Sequence, residues 1–424
     1  MPSRSAQPVR SLYIHVPFCA HKCEYCAFYS EPSRGATIQR YVDALIQEIE
    51  LAAPELQPQT VFFGGGTPSL LTLRQWESIL TAMSRLKLLG AAEWTIECNP
   101  ATVSVEKGKL WRSYGVNRIS MGVQSLDERL LERLGRVHTR EMAFKSFDVL
   151  RRAGFDNVNL DLMFAIPGQT LRIWQETLDE ALALGSEHLS SYEVIYEEDT
   201  PLYAQLQAGQ FSVNEDLACA MYQELLERTV SHGLAQYEVA NFARAADSGA
   251  GIPPATVGVS PELIGSRARR PPSRRDTCPT FPNSGPLDIP ARACRHNINY
   301  WRGGAFYGLG PSAAGYVRGV RTKNWSNTSL YCERLEEGKR AIESAEELSP
   351  LRRAGEIAAF GLRMNAGWPL AEFQETTGYD LRQGWACEIE QLVAQNWARL
   401  DSQRFRLTSE GLRFADTAAE MFLK

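Results

Sequence analysis

Residues 11–30 read SLYIHVPFCAHKCEYCAFYS. A strand-like run, SLYIHV, leads into a loop in which Cys19, Cys23 and Cys26 follow one another as C-x3-C-x2-C. Thiolates are soft ligands suited to iron–sulfur clusters or zinc. A structural zinc site wants four ligands, commonly in two separated pairs, and this loop offers three without a clear partner. Three thiolates on a four-iron cluster leave one iron open to an outside ligand. Three unligated loop cysteines are the plainer alternative, but such crowding in a reducing compartment usually means metal. The chain has nine cysteines, an odd number, and only these three cluster. Its start shows no apolar leader, so the cysteines point to cytoplasmic metal ligation rather than a disulfide framework.

Working outward from this loop, strand-like runs at 12–16, 60–63, 94–97, 118–122, 157–163 and 188–194 alternate with amphipathic stretches such as 41–52, 73–88, 141–153 and 171–184. Apolar residues recur there at i, i+3 and i+4. Six β-α repeats imply parallel strands joined by right-handed crossovers. The expected class is α/β, a complete or partial TIM-type barrel of (β/α)6 form, with a doubly wound open sheet as the alternative. The expected core is 1–243. Residues 244–293, with nine prolines and the run SRARRPPSRR, read as a disordered insertion. Residues 294–345 complete the barrel. Residues 346–424 form a smaller winged-helix-like domain, with helices at 351–363, 369–376 and 381–395, a two-stranded wing at 398–400 and 405–408, and a last helix at 409–422.

Bulk properties exclude some functions. A chain of 424 residues with 44% hydrophobic and 22% charged residues is ordinary for a globular protein. Its net charge of −5 provides no basic field, so no nucleic-acid partner is expected, and the arginine run reads as solvated. No apolar run reaches the roughly 18 residues of a membrane span, so no stable membrane insertion is expected.

In a β/α barrel functional groups gather where strands finish. Here the second strand ends in GGGTPS (64–69), the third at Glu97 before Asn99-Pro100, and the fourth in Gly122-Val123-Gln124. The fifth carries Asp161, and Tyr192 and Glu193 close the sixth. Any one of these can be a satisfied structural group, and a glycine triplet can be a tight turn. Six strand ends aimed at one face are harder to explain that way.

CxxxCxxC after a first strand resembles the radical S-adenosylmethionine (SAM) superfamily. There the open iron is chelated by the amino and carboxylate groups of SAM, whose reductive cleavage yields methionine and a 5′-deoxyadenosyl radical. The resemblance narrows to the group of coproporphyrinogen dehydrogenases and HemW-type haem chaperones. YIHVPFC (13–19), GGGTPS (64–69), ECNP (97–100), GVQS (122–125) and NLDLMFAIPGQT (159–170) resemble that group's motifs in order. The resemblance implies a 4Fe–4S cluster on Cys19, Cys23 and Cys26 and SAM contacts at Tyr13, Glu97 and Ile195. For a second SAM, as in the dehydrogenase branch, it implies Tyr25, Gly65, Gly66, Thr67, Gln124, Arg136 and Asp161. A carboxylate at 97 or 161 can accept from an amine or ribose hydroxyl, and Arg136 can pair with a carboxylate.

Two features separate the branches. Phe28 stands where the dehydrogenase type carries a fourth cysteine, as in the HemW type. HNINYW (296–301) resembles the HNxxYW of HemW-type chaperones. That implies haem binding, with His296 as an imidazole ligand to iron and Tyr300 and Trp301 stacking on the porphyrin. Without the resemblance, one histidine beside aromatics reads as a packed, hydrogen-bonded group.

His15, His21, His138, His188 and His232 receive no role. Cys98 points away from Glu97 by strand alternation and reads as core. Cys219, Cys278, Cys294, Cys332 and Cys387 read as single thiols. Two departures stand out. Ala165 replaces the family's usual glycine, where its methyl can crowd a cofactor, and the insertion precedes the CRHN at 294–297.

The leading expectation is a haem chaperone that binds haem or a related porphyrin and serves haem-receiving respiratory proteins. The alternatives are oxygen-independent decarboxylation of coproporphyrinogen III, which would make the chain an oxidoreductase, and radical chemistry on a non-porphyrin substrate. Phe28 and HNINYW favour the chaperone.

Overall fold

The computed structural model describes residues 7–32, 35–245 and 289–423. The expected insertion at 244–293, including Cys278, lies almost entirely outside the described residues.

Six parallel strands form the centre of one sheet: β1 (Val9–Val16), β2 (Leu56–Gly65), β3 (Glu93–Cys98), β4 (Arg118–Gln124), β5 (Val158–Phe164) and β6 (His188–Glu193). Each expected strand is present, with ends that differ by up to a few residues. Beyond β6, the antiparallel strands β7 (Leu234–Glu238) and β8 (Asn241–Arg244) extend one edge, with β8 paired to β6. At the other edge β9 (Tyr307–Leu309) lies parallel to β1. The nine-stranded sheet ends at β9 and β7 without closing, so the barrel is partial.

Alternation along the strands determines what faces where. Leu12, Ile14, Val61, Phe63, Trp94, Ile96, Ile119, Met121, Leu160, Leu162 and Leu189 belong to the main hydrophobic core. The helices Gly35–Ala52, Leu73–Arg85, Val105–Ser113, Arg140–Arg152 and Leu171–Ala183 cover that face. Trp76 and Trp111 from two of them meet Phe63 and Trp94, with Phe63–Trp76 and Trp76–Trp111 centroids 5.0 and 5.5 Å apart. Truncating any of these indoles costs about 3–5 kcal/mol. The Val105–Ser113 helix escapes a periodicity reading because only Gly108 and Trp111 are buried. Most helices open on a side-chain cap, and Thr72 with Gln75 makes a full capping box.

The opposite strand face is polar. The register sets Ser11 level with Thr60 and Glu93, and Tyr13 level with Phe62, Thr95 and Arg118. Glu97 is level with Ser120, Asn159 and His188, and Gly122 with Asp161 and Ser190. This polar face lines the inside of the partial barrel.

The C-terminal module has its own core around Trp368, Phe373, Trp385, Phe405 and Phe422. Two expected helices are broken. The 381–395 stretch divides at Trp385, whose buried indole donates to Phe422 O (2.9 Å). The last helix divides at Phe414, whose ring stacks on Trp397 at 4.5 Å. In both places anchoring a large aromatic overrides helix continuity. The wing has three strands, because Trp368–Pro369 pairs with Arg404–Leu407 beside Ala398–Leu400. The module docks on the barrel through Val239 N–H to Arg363 O (3.1 Å) and Arg302 Nη1 to Gly367 O (2.8 Å). No described helix is long and apolar enough to cross a membrane.

Candidate functional site

Two cavities open inside the partial barrel. The first, about 700 Å3, is lined by Cys19, Cys23 and Cys26 together with Tyr25, Gly65, Gly66, Thr67, Glu97, Gln124, Arg136, Asp161 and Ile195. The two sets of residues that the resemblance assigns to two SAM molecules therefore meet around one cavity, apart from Tyr13. Tyr13 lines the second cavity, about 590 Å3, with His296, Tyr300 and Trp301. Phe28, Gly65, Glu97, Ser120, Asp161 and Tyr192 belong to both linings, so the cavities share a wall.

The cysteine loop is clipped to the barrel by its backbone. Phe18–Cys19 pairs with Glu31–Pro32, and the N–H groups of Gly66 and Thr67 donate to Val16 O (2.8 Å) and Phe18 O (2.7 Å). The glycines make this approach possible. A Cβ on Gly66 would lie 2.7 Å from Phe18 O, and one on Gly65, at φ +105°, would lie 2.5 Å from the His15 ring. His15 is therefore structural: its Nε2–H donates to Tyr29 O (2.9 Å), while Tyr13 OH donates to Nδ1 (3.0 Å).

The three thiols are free and partly exposed. Thr67 Oγ1 donates to Cys19 Sγ (3.6 Å) and Arg136 Nη1 to Cys23 Sγ (3.5 Å), which suits thiolates. Arg136 Nη2 also donates to Gly122 O (2.6 Å). Among the described residues no three His, Cys, Asp or Glu side chains converge as single-ion ligands. A cuboidal cluster does not need that convergence, since each thiolate binds a different iron. Cys98 is buried in the main core.

Glu97 accepts from Gly65 N–H (3.1 Å). Burial, reinforced by the Asp161 charge, pushes its carboxyl up to about 8. Asp161 is raised by burial too, although Asn159 Nδ2 (2.7 Å) and Ser120 Oγ (3.1 Å) donate to it. Gln124 reaches the cavity from a bulged strand end with φ +65°. Ile195, 66% exposed, and Phe28, 68% exposed, stand at the rim.

Ala165 lines neither cavity. Its φ is +56°, so the usual glycine answers a backbone demand at this turn.

His296 is 1% exposed. Its Nδ1 lies 3.1 Å from Ser11 Oγ and 3.0 Å from Thr60 Oγ1, and its Nε2 lies 2.7 Å from Tyr300 OH. Phe62 stacks on the ring at 5.1 Å. Burial, with a smaller push from the Arg118 charge, lowers its pKa to about 3. The helix Arg295–Trp301 is held by Glu93, which accepts from the N–H groups of Arg295 (2.8 Å) and His296 (2.9 Å).

Several lining residues carry no motif: Arg118, Ser120 and Ser190 from the strands, and Arg353, Glu356 and Phe360 from the C-terminal helix Pro350–Gly361. The strand residues could have been found by their period-two polarity.

Residues 13–181 match the Radical SAM superfamily and residues 348–414 the HemN C-terminal domain. Over 419 residues the chain is 30% identical to the haem chaperone HemW of Lactococcus lactis, covering 98% of both chains. It is also 30% identical to HemW of Bacillus subtilis over 421 residues, covering 98% of this chain and 99% of the relative. The chain belongs to the HemW family of radical SAM proteins. Its fold is that of the Escherichia coli coproporphyrinogen III oxidase HemN, with a TM-score of 0.77 at 19% identity, covering all of this chain and 92% of that one. Membership in the HemW family implies a 4Fe–4S cluster and SAM, and the first cavity has the donors for both: three thiols, an arginine and a carboxyl with backbone N–H groups beside it.

Proposed function

We propose that the chain is a cytoplasmic haem chaperone that holds haem in the second cavity, beside a cluster and SAM in the first, and passes it to respiratory haem proteins. The shared wall carries this reading. Glu97, Asp161 and Gly65 border both cavities, so occupation of one bears on the shape and charge of the other. Cys19, Cys23 and Cys26 would hold the cluster. Glu97, with one oxygen on Gly65 N–H, offers the other to an amine or ribose hydroxyl. When bound, cluster and SAM supply a one-electron route to a carbon radical.

Ligation of iron needs a neutral imidazole. The low pKa keeps His296 neutral throughout the physiological range. Its Nε2 is engaged by Tyr300 OH, so iron must displace that hydroxyl. That competing hydrogen bond weakens ligation by about 1 kcal/mol, which favours reversible over permanent binding. Tyr300 and Phe306, with rings 4.5 Å apart, and Trp301 supply aromatic wall for a porphyrin.

Haem titration of anaerobically reconstituted protein tests the reading through the Soret band. His296→Ala is expected to weaken binding or shift the band. Tyr300→Phe, which frees Nε2, is expected to tighten binding about fivefold, the value of one hydrogen bond. An unchanged band and affinity in His296→Ala would remove the ligand assignment. Robust conversion of coproporphyrinogen under reducing conditions with SAM would favour the oxidase reading instead.

A further inference from the structure

Among the described residues, the inner face of the barrel holds one cation that the fold does not use. Arg118 on β4 is 2% exposed and lines the second cavity. Its Nε has no hydrogen-bond partner, and the side chain makes no hydrogen bond or close ion pair among the described residues. A buried guanidinium with five donors and no acceptor is costly. Thr95 Oγ1, level with it on the next strand, also has no hydrogen-bond partner, but a hydroxyl cannot offset the guanidinium charge, and the other polar groups nearby are engaged with one another. Asn159 Nδ2 donates to Ser120 Oγ (2.7 Å) and Asp161 Oδ1 (2.7 Å), and Ser190 Oγ donates to Asn241 Oδ1 (2.7 Å).

The nearby carboxylates do not account for Arg118. Glu93 spends its oxygens on the N–H groups of Arg295 and His296, with Cys294 Sγ at 3.5 Å. Asp161 accepts from Asn159 and Ser120. Both lie close enough to be felt electrostatically, but neither turns an oxygen onto the guanidinium. The other two cavity arginines differ. Arg353 donates to Gly303 O (3.1 Å) and Glu356 (3.2 Å), and Arg321 also pairs with Glu356.

We propose that Arg118 is a carboxylate anchor in the second cavity, taking an acid group of the bound tetrapyrrole on its planar fork. The proposal rests on the haem reading above and adds what selects the ligand. His296 and the aromatic wall recognise iron and ring, whereas Arg118 recognises the acidic side chain. A guanidinium suits that role because it holds a carboxylate through two parallel hydrogen bonds. Its place on a central strand makes it a rigid reference point.

The test compares haem with its dimethyl ester, whose carboxylates are masked. Both are titrated into cluster-reconstituted full chain in the same dilute detergent and followed in the Soret region. Wild type is expected to prefer haem by about tenfold or more, the value of a charge-assisted pair. Arg118→Gln is expected to erase that preference by weakening haem while leaving ester affinity unchanged. Arg118→Lys, which keeps the charge but loses the fork, is expected to fall between. Iron content and thermal melts show whether the variants are folded. If Arg118→Gln fails to fold, Arg118→Lys and the wild-type preference decide. A wild-type preference retained in either folded variant, or equal binding of both ligands by wild type, overturns the anchor alone. A wild type that takes up neither ligand overturns the haem reading and the anchor with it.

Discussion

The two cavities are built differently although they share a wall. The first is assembled from main chain and adjacent side chains at strand ends: the loop at 19–26, the glycines at 64–66, Glu97, Gln124. The second is assembled from single residues at alternate positions on several strands, one short helix at 295–301 and a helix of the C-terminal module. A site of the first kind leaves contiguous words in a sequence. A site of the second kind leaves isolated letters, and its full lining emerges only when strand register is known.

The largest expected effect separates the two. Cys19→Ala, Cys23→Ala and Cys26→Ala are each expected to lower reconstituted iron from about four per chain to background. Haem uptake in the second cavity is expected to survive, since none of the three cysteines lines it. A wild-type cluster spectrum in any variant would exclude that ligand set. Loss of the Soret band together with the cluster would mean that the cavities act as one site.

Gly65→Ala strikes the shared wall. Its φ of +105° disfavours a side chain, and the new Cβ would meet the His15 ring that holds Tyr29 O. A stability loss of about 2 kcal/mol in denaturant melts is expected, with impaired cluster reconstitution and weakened haem binding together. An effect on one cavity alone would show that the wall is not shared in function.

How much of this was legible follows from the same contrast. The six parallel strands, the cysteine loop and the strand-end motifs were readable because each is local: period-two strands, dense thiols, glycine runs. A partial barrel was among the readings too, but the edge strands β7, β8 and β9 that end it were not, since their pairing is long-range. Arg118 was passed over because a strand arginine reads as surface, yet here it is 2% exposed on an inward-facing polar stripe. His296 was singled out by its motif, but its engagement by Ser11, Thr60 and Tyr300 depends on residues 285 and 236 positions away as well as on one in its own helix. The division of the terminal helices at Trp385 and Phe414 was hidden for a related reason, since aromatic anchoring is decided by the partner surface.

A smaller effect concerns charge on the wall. Burial raises Glu97 to about 8 from its usual 4.5. Between those values the folded protein keeps a proton that the unfolded chain has released. The contribution is therefore fully present below about pH 4.5 and is lost as pH rises through about 8. Ligand-free protein should lose on the order of a few kcal/mol across that window, and Glu97→Gln should flatten the dependence. Stability that holds level in wild type from pH 5 to 8 would show that Glu97 is ionised and solvated.

The smallest effect tests where the first cavity ends. Ala165 follows β5 directly, four residues beyond Asp161, and its N–H donates to Met221 Sδ (3.4 Å), a core residue that lines neither cavity. An alanine at φ +56° pays about 1–2 kcal/mol for left-handed backbone. Ala165→Gly removes that strain but gives the unfolded chain more freedom, at about 0.5–1 kcal/mol. The net expectation is a gain of about 0.5 kcal/mol in denaturant melts, with SAM affinity unchanged within twofold. If affinity instead rose severalfold, the methyl would be reaching the cofactor, and the boundary of the first cavity would have to move past β5 to include the turn at 165–168. Stability without altered affinity would fix that turn as scaffold and leave the strand ends as the whole of the cofactor wall on this side.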